Sequence, residues 1–589
     1  MSSGEESLRL LGEGIAAYRK ALEVYTRERF PGAWASLQRT LGFCLTERGE
    51  RSSGVERLRL LGEAVTASRE ALKVYTREQS EWYWALTQRN LGEALRLQGE
   101  QSSGEDGMRL LGEAVTACRE ALKVFDPRKN HPWAVAQYNL CSALISQSKR
   151  SIGEERPRLL AEAITAHNEA LKEYALYLPN LTKKEKLSAA EEEYLRMLAE
   201  IITARREALK AFTPEQLPQQ WAATQYNLGE ALRGQTWQSS EEARDRLRVE
   251  AVIAYREALK VYTPERFPRE WTKTQRGLGR TLSSQGRQLN GEDDMRLLGE
   301  AVTAYREALK AIPDQEPRAW EDWAKTQYDL GATLALQGKR LSGEEGMRLL
   351  AEAVAAYREA IEAFSRQNWS LRSGYSGGPD WAKTHDYLGK TYLLLKEWKD
   401  AAVCFENALT APNYEGHKGV YQSLASIYQE RLFEYEKAFD LREEMLSRFP
   451  QDAYALAGFA ETHFTTGRFP EFSHRIEPLL TNPEISASSK VALQMIEVAN
   501  LLVLGNADQV PVALASLHKT ISDQKADFRI NWSFSGALNF INREERFVSY
   551  RPWLNRFFSV AREENRDALL KALREAQAQF PAVSGNHRR

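Results

Sequence analysis

The chain has 589 residues, a formal net charge of −1 at pH 7 and an isoelectric point near 6.8. A chain this close to neutral has no overall field that would draw it to nucleic acid or to an anionic membrane, so neither class of partner is expected. Its four cysteines show no CxxC spacing, and no stretch is apolar over the ~20 residues needed to cross a bilayer. We therefore expect a cytoplasmic protein.

A segment of about 50 residues repeats along the first two thirds of the chain. The phrase Arg-Leu-Leu-Gly-Glu occupies residues 59–63, 109–113 and 296–300 and returns in varied form at Arg158 and Arg348. Self-similarity at a fixed period is typical of stacked units that bury their apolar faces against one another. Between the copies a Trp is followed seven residues later by Leu, at Trp34/Leu41, Trp84/Leu91, Trp133/Leu140, Trp221/Leu228, Trp271/Leu278, Trp323/Leu330 and Trp381/Leu388.

Each unit contains the pattern of two helices. From Trp84 onward apolar residues recur with the helical period, and a second amphipathic stretch follows and reaches Phe125. Between the two, Ser103 precedes Asp106 by three residues, and Ser53 begins the same pattern one unit earlier. This is a capping-box pattern, which predicts that the serine side chain bonds to the backbone at the start of the second helix.

These helix pairs resemble the tetratricopeptide repeat, whose first helix carries Leu-Gly and whose second helix carries small residues at the contact. The unit at Trp381 fits that pattern best, with Leu-Gly at 388–389, Tyr392, and an Ala-x3-Phe-x2-Ala-Leu series at 401–409. The other units carry about ten extra residues between the helices, which is similar to the long-repeat arrays of bacterial multidomain proteins. The resemblance implies an all-α, right-handed superhelical solenoid of antiparallel helix pairs with a helical C-terminal cap.

The pattern divides the chain into four parts. We predict a long-repeat array over 1–371, a flexible break over 372–380, shorter tetratricopeptide-like repeats over 381–470, and degenerate helical hairpins with an aromatic-rich cap over 471–589. Residues 151–211 interrupt the array, because two second-helix phrases follow one another there without a Trp-containing helix. For the aromatic tail, a docking surface is the alternative to a cap. The first repeat begins at its middle, without a leading helix, so we expect a partner or a second copy to cover the exposed stacking face of that repeat.

No catalytic constellation is visible in the sequence, which has no HExxH, GxxxxGK[ST], GxGxxG or GxSxG motif. We therefore expect no enzymatic activity, no cofactor and no metal site. A Cys–His pair stays open, because such partners meet in space rather than in sequence. Repeat alignment favours packing roles, since Cys141 takes the place of Gly92 and His167 takes that of Tyr255. A hydrolase within residues 471–589 is the least favoured alternative.

The resemblance also implies a binding face, because the first helices of tetratricopeptide arrays line a concave groove. An Asn before the Leu-Gly pair holds a peptide backbone there through its amide. On this face ten basic residues stand against Glu93, Glu230 and Asp386, which indicates an extended acidic segment or a chain terminus held by charge pairs. The implied groove residues are Arg39, Arg89, Asn90, Arg96, Tyr138, Asn139, Tyr226, Asn227, Arg233, Lys273, Arg276, Arg280, Lys325, Tyr328, Lys383 and Lys390.

Together these patterns favour a non-enzymatic scaffold or adaptor that binds a protein or peptide segment, acidic segments being the preferred class. The alternative is a regulatory or sensor subunit that controls a separate effector, such as a protease in bacterial signalling or defence. Nucleic-acid binding is disfavoured because the units carry no two-residue base-reading pattern. Self-association through the N-terminal face is a further option for the partner.

Overall fold

The structure is a computed structural model. It describes residues 3–126, 131–177, 189–236, 239–288, 291–312, 319–366, 379–411, 414, 416–563 and 565–578. All regular secondary structure within these residues is helical, which confirms the all-α prediction. The chain forms two compact units, Met1–Ala311 and Ile312–Arg589. The boundary between them lies inside the stretch predicted as one array ending at residue 371.

The first unit has twelve α-helices within its described residues. They are α1 (Ser3–Val24), α2 (Pro31–Glu50), α3 (Gly54–Ala71), α4 (Glu81–Gln101), α5 (Gly104–Leu122), α6 (His131–Ser148), α7 (Glu155–Tyr177), α8 (Ala189–Ala211), α9 (Pro218–Gln235), α10 (Glu241–Ala258), α11 (Pro268–Gly286) and α12 (Glu292–Lys310).

Neighbouring helices in this unit form antiparallel pairs. Gly92 of α4 faces Cys118 of α5, whereas Gly99, further along α4, faces Leu111 near the start of α5. The same pairing joins α2 to α3, α6 to α7, α9 to α10 and α11 to α12. The first helices also contact one another in order, α2 with α4, α4 with α6, and α9 with α11. Sequential helix pairs of this kind are consistent with a helical repeat solenoid.

The interruption predicted over residues 151–211 takes the form of two successive second helices. Helix α7 packs on α6, while α8 packs on α9, which is also flanked by α10. Arg205 anchors α8 at this contact, because it is 2% exposed and its Nη1 donates to the carbonyl of Asn227 at 2.5 Å. Residues 178–188, between the two helices, lie outside the described residues.

The second unit has thirteen α-helices within its described residues. They are α13 (Ala319–Arg340), α14 (Gly343–Arg366), α15 (Pro379–Leu395), α16 (Trp398–Leu409), α17 (His417–Ile427), α18 (Tyr435–Arg448), α19 (Ala453–Thr465), α20 (Phe469–Thr481), α21 (Ala487–Val503), α22 (Val510–Ser522), α23 (Ser535–Arg543), α24 (Arg551–Ser559) and α25 (Arg566–Ala578). A π-helical turn, Tyr428–Leu432, continues α17, and 3₁₀ turns occupy Glu545–Phe547 and Val560–Arg562.

Helix pairs continue through this unit, and the tail packs against the last of them. Helices α13 and α14, α15 and α16, α17 and α18, α19 and α20, and α21 and α22 are each in contact. The tail aromatics Phe547 and Phe557 are fully buried in the same apolar core as Phe464 and Phe472. Of the predicted break at 372–380, residues 372–378 lie outside the described residues, and α15 begins at Pro379. In the described part of the chain, no helix has the length and apolar character needed to cross a membrane.

Candidate functional site

In the first unit, the predicted groove residues of α4 and α6 are mostly enclosed by their neighbours. The guanidinium of Arg96 contacts Glu93 at 2.5 Å and Glu100 at 2.7 Å, and its side chain is only 12% exposed. Asn90 is buried and accepts a hydrogen bond from Nη2 of Arg89 at 3.0 Å. The amide oxygen of Asn90 is thus already bonded within its own helix, α4. Tyr138 and Asn139 of α6 are likewise buried, and Arg39 of α2 is half-buried.

Helices α9 and α11 carry a second group of the predicted residues. Nη2 of Arg233 lies 2.7 Å from Oε2 of Glu230. The other carboxylate oxygen, Oε1, accepts a hydrogen bond from the Tyr255 hydroxyl at 2.6 Å. Burial by itself would raise the pKa of the Glu230 carboxyl, but attraction to Arg233 prevails and lowers it. The remaining predicted residues lie nearer the surface: Tyr226, Asn227 and Arg276 are half-buried, and Lys273 and Arg280 are exposed.

In the second unit, predicted residues of α13 and α15 come together in one strip. Nζ of Lys383 lies 5.1 Å from the ring centroid of Tyr328, and Nζ of Lys390 lies 5.1 Å from that of Tyr387. The two tyrosine rings meet edge to face at 5.6 Å. Ammonium groups at this distance from a ring are attracted by its negative face. We refer to Tyr328, Lys383, Tyr387 and Lys390 as the Tyr-Lys strip.

Acidic neighbours reduce the positive charge that the sequence predicts for this face. Lys390 binds Asp386 at 2.7 Å, and Lys325 binds Glu321 on its own helix. With Arg96 and Arg233, at least four of the ten predicted basic residues are therefore ion-paired within the described part of the chain. The exposed cations among the predicted residues include Lys273 and Lys383.

The structure also places one cysteine beside a histidine. Sγ of Cys141 lies 3.6 Å from Nδ1 of His167, and the two residues are 2% and 1% exposed. Burial, together with the charge of Arg205, lowers the pKa of His167 to about 3, so the imidazole is neutral. This pair repeats the contact of Gly279 with Tyr305, as the repeat alignment predicts. A buried pair does not present a nucleophile to a substrate, so its geometry is that of packing.

A second region, which the sequence did not single out, is a pocket of about 510 Å³ in the second unit. Its walls come from α15 to α19, the π-helical turn and residues 531–533. Single π-helical turns within α-helices are frequently found at functional sites. Phe433, directly after this turn, has φ +57°, a left-handed conformation that few non-glycine residues adopt. We call this cavity the carboxylate–arginine pocket; its principal lining residues are Gln429, Glu430, Arg442, Tyr454, Glu461 and Trp532.

Comparison with known proteins adds no family name to this geometry. No protein-family model matches the chain, and no curated protein matches it either. Among the described residues, no cluster of histidine, cysteine and carboxylate side chains could hold a metal ion. The case for function therefore depends on the repeat pattern and on the side chains of the two regions.

Proposed function

We propose that the chain is a tetratricopeptide-like scaffold with a right-handed superhelix, which binds an extended protein segment along its first helices. The observation that carries this proposal is the Tyr-Lys strip, where two tyrosine rings and two ammonium groups from successive first helices share one surface. Rings and ammonium groups side by side suit a segment that alternates apolar and acidic side chains. The function is non-enzymatic, and the compartment is the cytoplasm.

The arrangement of layers supports this proposal. First helices contact first helices in both units, as α4 contacts α6 and α13 contacts α15, so their side chains form runs longer than one helix. Repeat proteins use such runs as extended binding surfaces. Second helices instead hold salt bridges to one another on exposed positions, for example Arg256 with Glu300 at 2.7 Å.

A peptide selection tests the proposal. The full chain is immobilised, a random displayed peptide library is selected on it, and binding of the enriched peptides is measured by fluorescence anisotropy. We expect enriched peptides to contain Asp or Glu and aromatic residues. The variant Lys273→Glu/Lys383→Glu should weaken them by about tenfold or more, because each reversal replaces an attraction with a repulsion.

Lys260→Glu/Lys310→Glu is the matched control. Both lysines are exposed, Lys310 at the end of second helix α12 and Lys260 two residues after second helix α10, so the change in net charge is identical while the first-helix surface is intact. If the two double variants weaken peptide binding equally, the effect is one of net charge alone, and a binding face on the first helices is contradicted. A selection that enriches no peptide would contradict the scaffold function itself.

A further inference from the structure

The carboxylate–arginine pocket contains buried polar groups that lack partners. Gln429, Arg442 and Glu461 are 1%, 3% and 2% exposed. Nε and Nη1 of Arg442 have no hydrogen-bond partner among the described residues. Oε1 of Glu461 and both ends of the Gln429 amide also lack a partner at hydrogen-bond distance there, although the amide is close enough to lower the pKa of the Glu461 carboxyl. Buried polar groups are nearly always paired, because an unpaired one costs roughly 1–3 kcal/mol. Three such side chains at one cavity indicate that something else satisfies them.

Hydrogen bonds fix the two carboxyls of this pocket in position. Nε1 of Trp532 donates to Oε2 of Glu461 at 3.1 Å. Oε2 of Glu430 accepts from the Ser533 hydroxyl at 2.6 Å and from the Gly536 backbone at 3.1 Å. Each carboxyl therefore has one oxygen held in place. The other oxygen of Glu461, Oε1, is buried and fixed in position with it.

Arg442 is held in a comparable way. Its guanidinium packs against the backbone of Gly458, where a Cβ would lie 2.4 Å from Cζ. The same group lies 5.2 Å from the ring centroid of Tyr454, which is 44% exposed at the pocket rim. A guanidinium fixed between a ring and a backbone, with two nitrogens unpaired, is suited to a carboxylate.

The groups without partners include a guanidinium and a carboxyl, and this restricts the chemical class of the ligand. Arg442 needs an anionic acceptor, whereas Glu461 offers an oxygen beside a second carboxyl, Glu430. Burial raises the pKa of Glu461 and the nearby charge of Glu430 adds to this rise, while the charge of Arg442 opposes it without cancelling it. A bound cation would relieve both effects. Phosphates are disfavoured by the two carboxyls and simple amines by Arg442, while Tyr454 and Trp532 offer aromatic surface to a side chain.

We propose that the carboxylate–arginine pocket binds a free α-amino acid. Its carboxylate pairs with Arg442, its ammonium group faces Glu461 and Glu430, and its side chain packs on the rings of Tyr454 and Trp532. The volume of about 510 Å³ lies in the range of small-molecule sites and is too small for a folded partner. All of the lining residues belong to the second unit, and none of them is a predicted groove residue. This site is independent of the proposed scaffold function.

Calorimetry on the full chain tests this proposal. Each of the twenty common L-amino acids is titrated separately, with phenethylamine and 3-phenylpropionate as probes that lack the carboxylate or the ammonium group. We expect at least one amino acid to bind, and both single-charge probes to bind at least about tenfold more weakly than L-phenylalanine or whichever aromatic amino acid binds. No binding by any of the twenty at about 10 mM would overturn the proposal, as would equal binding of the single-charge probes.

Variants then locate the site. Arg442→Gln and Glu461→Gln should each weaken the amino acid about tenfold or more. Tyr454→Ala, at the exposed rim, keeps both buried charges but removes the ring that contacts Arg442 and Trp532, and it should weaken aromatic amino acids. Arg448→Gln and Glu436→Gln are matched controls on α18, the helix of Arg442, and neither lines the pocket. Unchanged affinity in Tyr454→Ala and in every correctly folded pocket variant would place the amino acid elsewhere and overturn the assignment.

Discussion

Glu497 of α21 carries a carboxyl whose ionised form is disfavoured by burial. It accepts hydrogen bonds from the Ser473 hydroxyl and from Nδ2 of Asn500, both at 3.3 Å. Burial outweighs these two bonds and raises the pKa of Glu497 from 4.5 to about 7. Between these two pH values the folded chain retains a proton that the unfolded chain has released. The free energy of unfolding therefore falls as the pH rises through this window and stays lowered above it.

Glu497→Gln should remove this penalty, since a neutral amide can still accept from Ser473. We expect the variant to be more stable than the wild type at about pH 8, by up to roughly 3 kcal/mol, and equally stable at about pH 4.5. Urea unfolding followed by circular dichroism at both pH values measures the difference. Glu484→Gln, at an exposed position before α21, should show no such pH dependence. An advantage of Glu497→Gln that is the same at both pH values would show that the ionised carboxyl is not the cause.

The buried carboxyls show which part of the second region was open to prediction. Glu461 is the one acid in α19, and Glu497 is the one acid in α21, both in otherwise largely apolar stretches. An acid in such a stretch is a signal that it is buried. The pocket itself could not be predicted, because Trp532 reaches Glu461 across 71 residues of sequence. Nothing in the local pattern specifies that contact.

At the scale of helix pairs, one contact explains the Leu-Gly phrase. A Cβ added at Gly279 of α11 would lie 2.7 Å from the ring of Tyr305 on α12, and Gly331 and Gly389 meet Tyr357 and Phe405 in the same way. Glycine is needed there because the paired helix inserts a ring against the backbone. Where the second helix offers Cys118, the facing residue is again a glycine, Gly92, at similarly close range.

Gly279→Ala should therefore destabilise the first unit. Tyr305 is 1% exposed and cannot move aside, so we expect a loss of about 1–3 kcal/mol in the free energy of unfolding. Gly299→Ala on α12 is the matched control, because a Cβ there meets nothing within 4 Å among the described residues. It should stabilise the helix by roughly 0.5–1 kcal/mol. Urea unfolding of both variants gives the comparison, and effects of the same sign would contradict the role of close packing.

The presence of the helices could be predicted from the sequence far better than the way in which each helix begins. The hydrophobic period predicted the helix pairs, and two successive second-helix phrases predicted the interruption over 151–211, because each pattern is local. The predicted side-chain caps at Ser53 and Ser103 were wrong, although both serines directly precede helices. Neither side chain makes a cap hydrogen bond, and the following glycines adopt φ +59° and +58°. The turn is thus made by a glycine backbone, whereas Ser240 supplies a true side-chain cap on α10.

Across the first unit, salt bridges of one kind join second helices of neighbouring repeats, from α1 to α7 and from α8 to α12. The sequence analysis explained the Arg-Leu-Leu-Gly-Glu phrase only as part of a repeat, whereas the structure gives its glutamate a partner in the preceding repeat. The partners lie 43 or 44 residues apart, a separation set by the repeat length, at N–O distances of 2.5–2.7 Å. The pairs are Arg19–Glu63, Arg69–Glu113, Arg119–Glu162, Arg206–Glu250 and Arg256–Glu300.

Arg206 and Glu250 allow the cleanest test of coupling between repeats. Their contact joins α8 to α10, with Nη2 of Arg206 2.8 Å and 2.7 Å from the two carboxylate oxygens and Nε at 3.0 Å from one of them. Bidentate geometry is the case in which an exposed ion pair contributes measurably, at about 0.2–1 kcal/mol. Arg206→Glu and Glu250→Arg should each lower the free energy of unfolding, and the charge-swapped double variant should recover most of the loss.

The recovery should shrink in about 1 M salt, because exposed charges are screened over a few ångströms there. Arg206→Glu combined with Glu300→Arg is the control, since Glu300 is bound by Arg256 and its effect should simply add to that of Arg206. Stabilities come from urea unfolding of all the variants at low and high salt. If the losses in the free energy of unfolding from Arg206→Glu and Glu250→Arg are additive in the double variant, the bridges form because the repeats stack and add no stability of their own. A positive coupling that salt removes would mean that the regular spacing of arginine and glutamate itself holds neighbouring repeats in register.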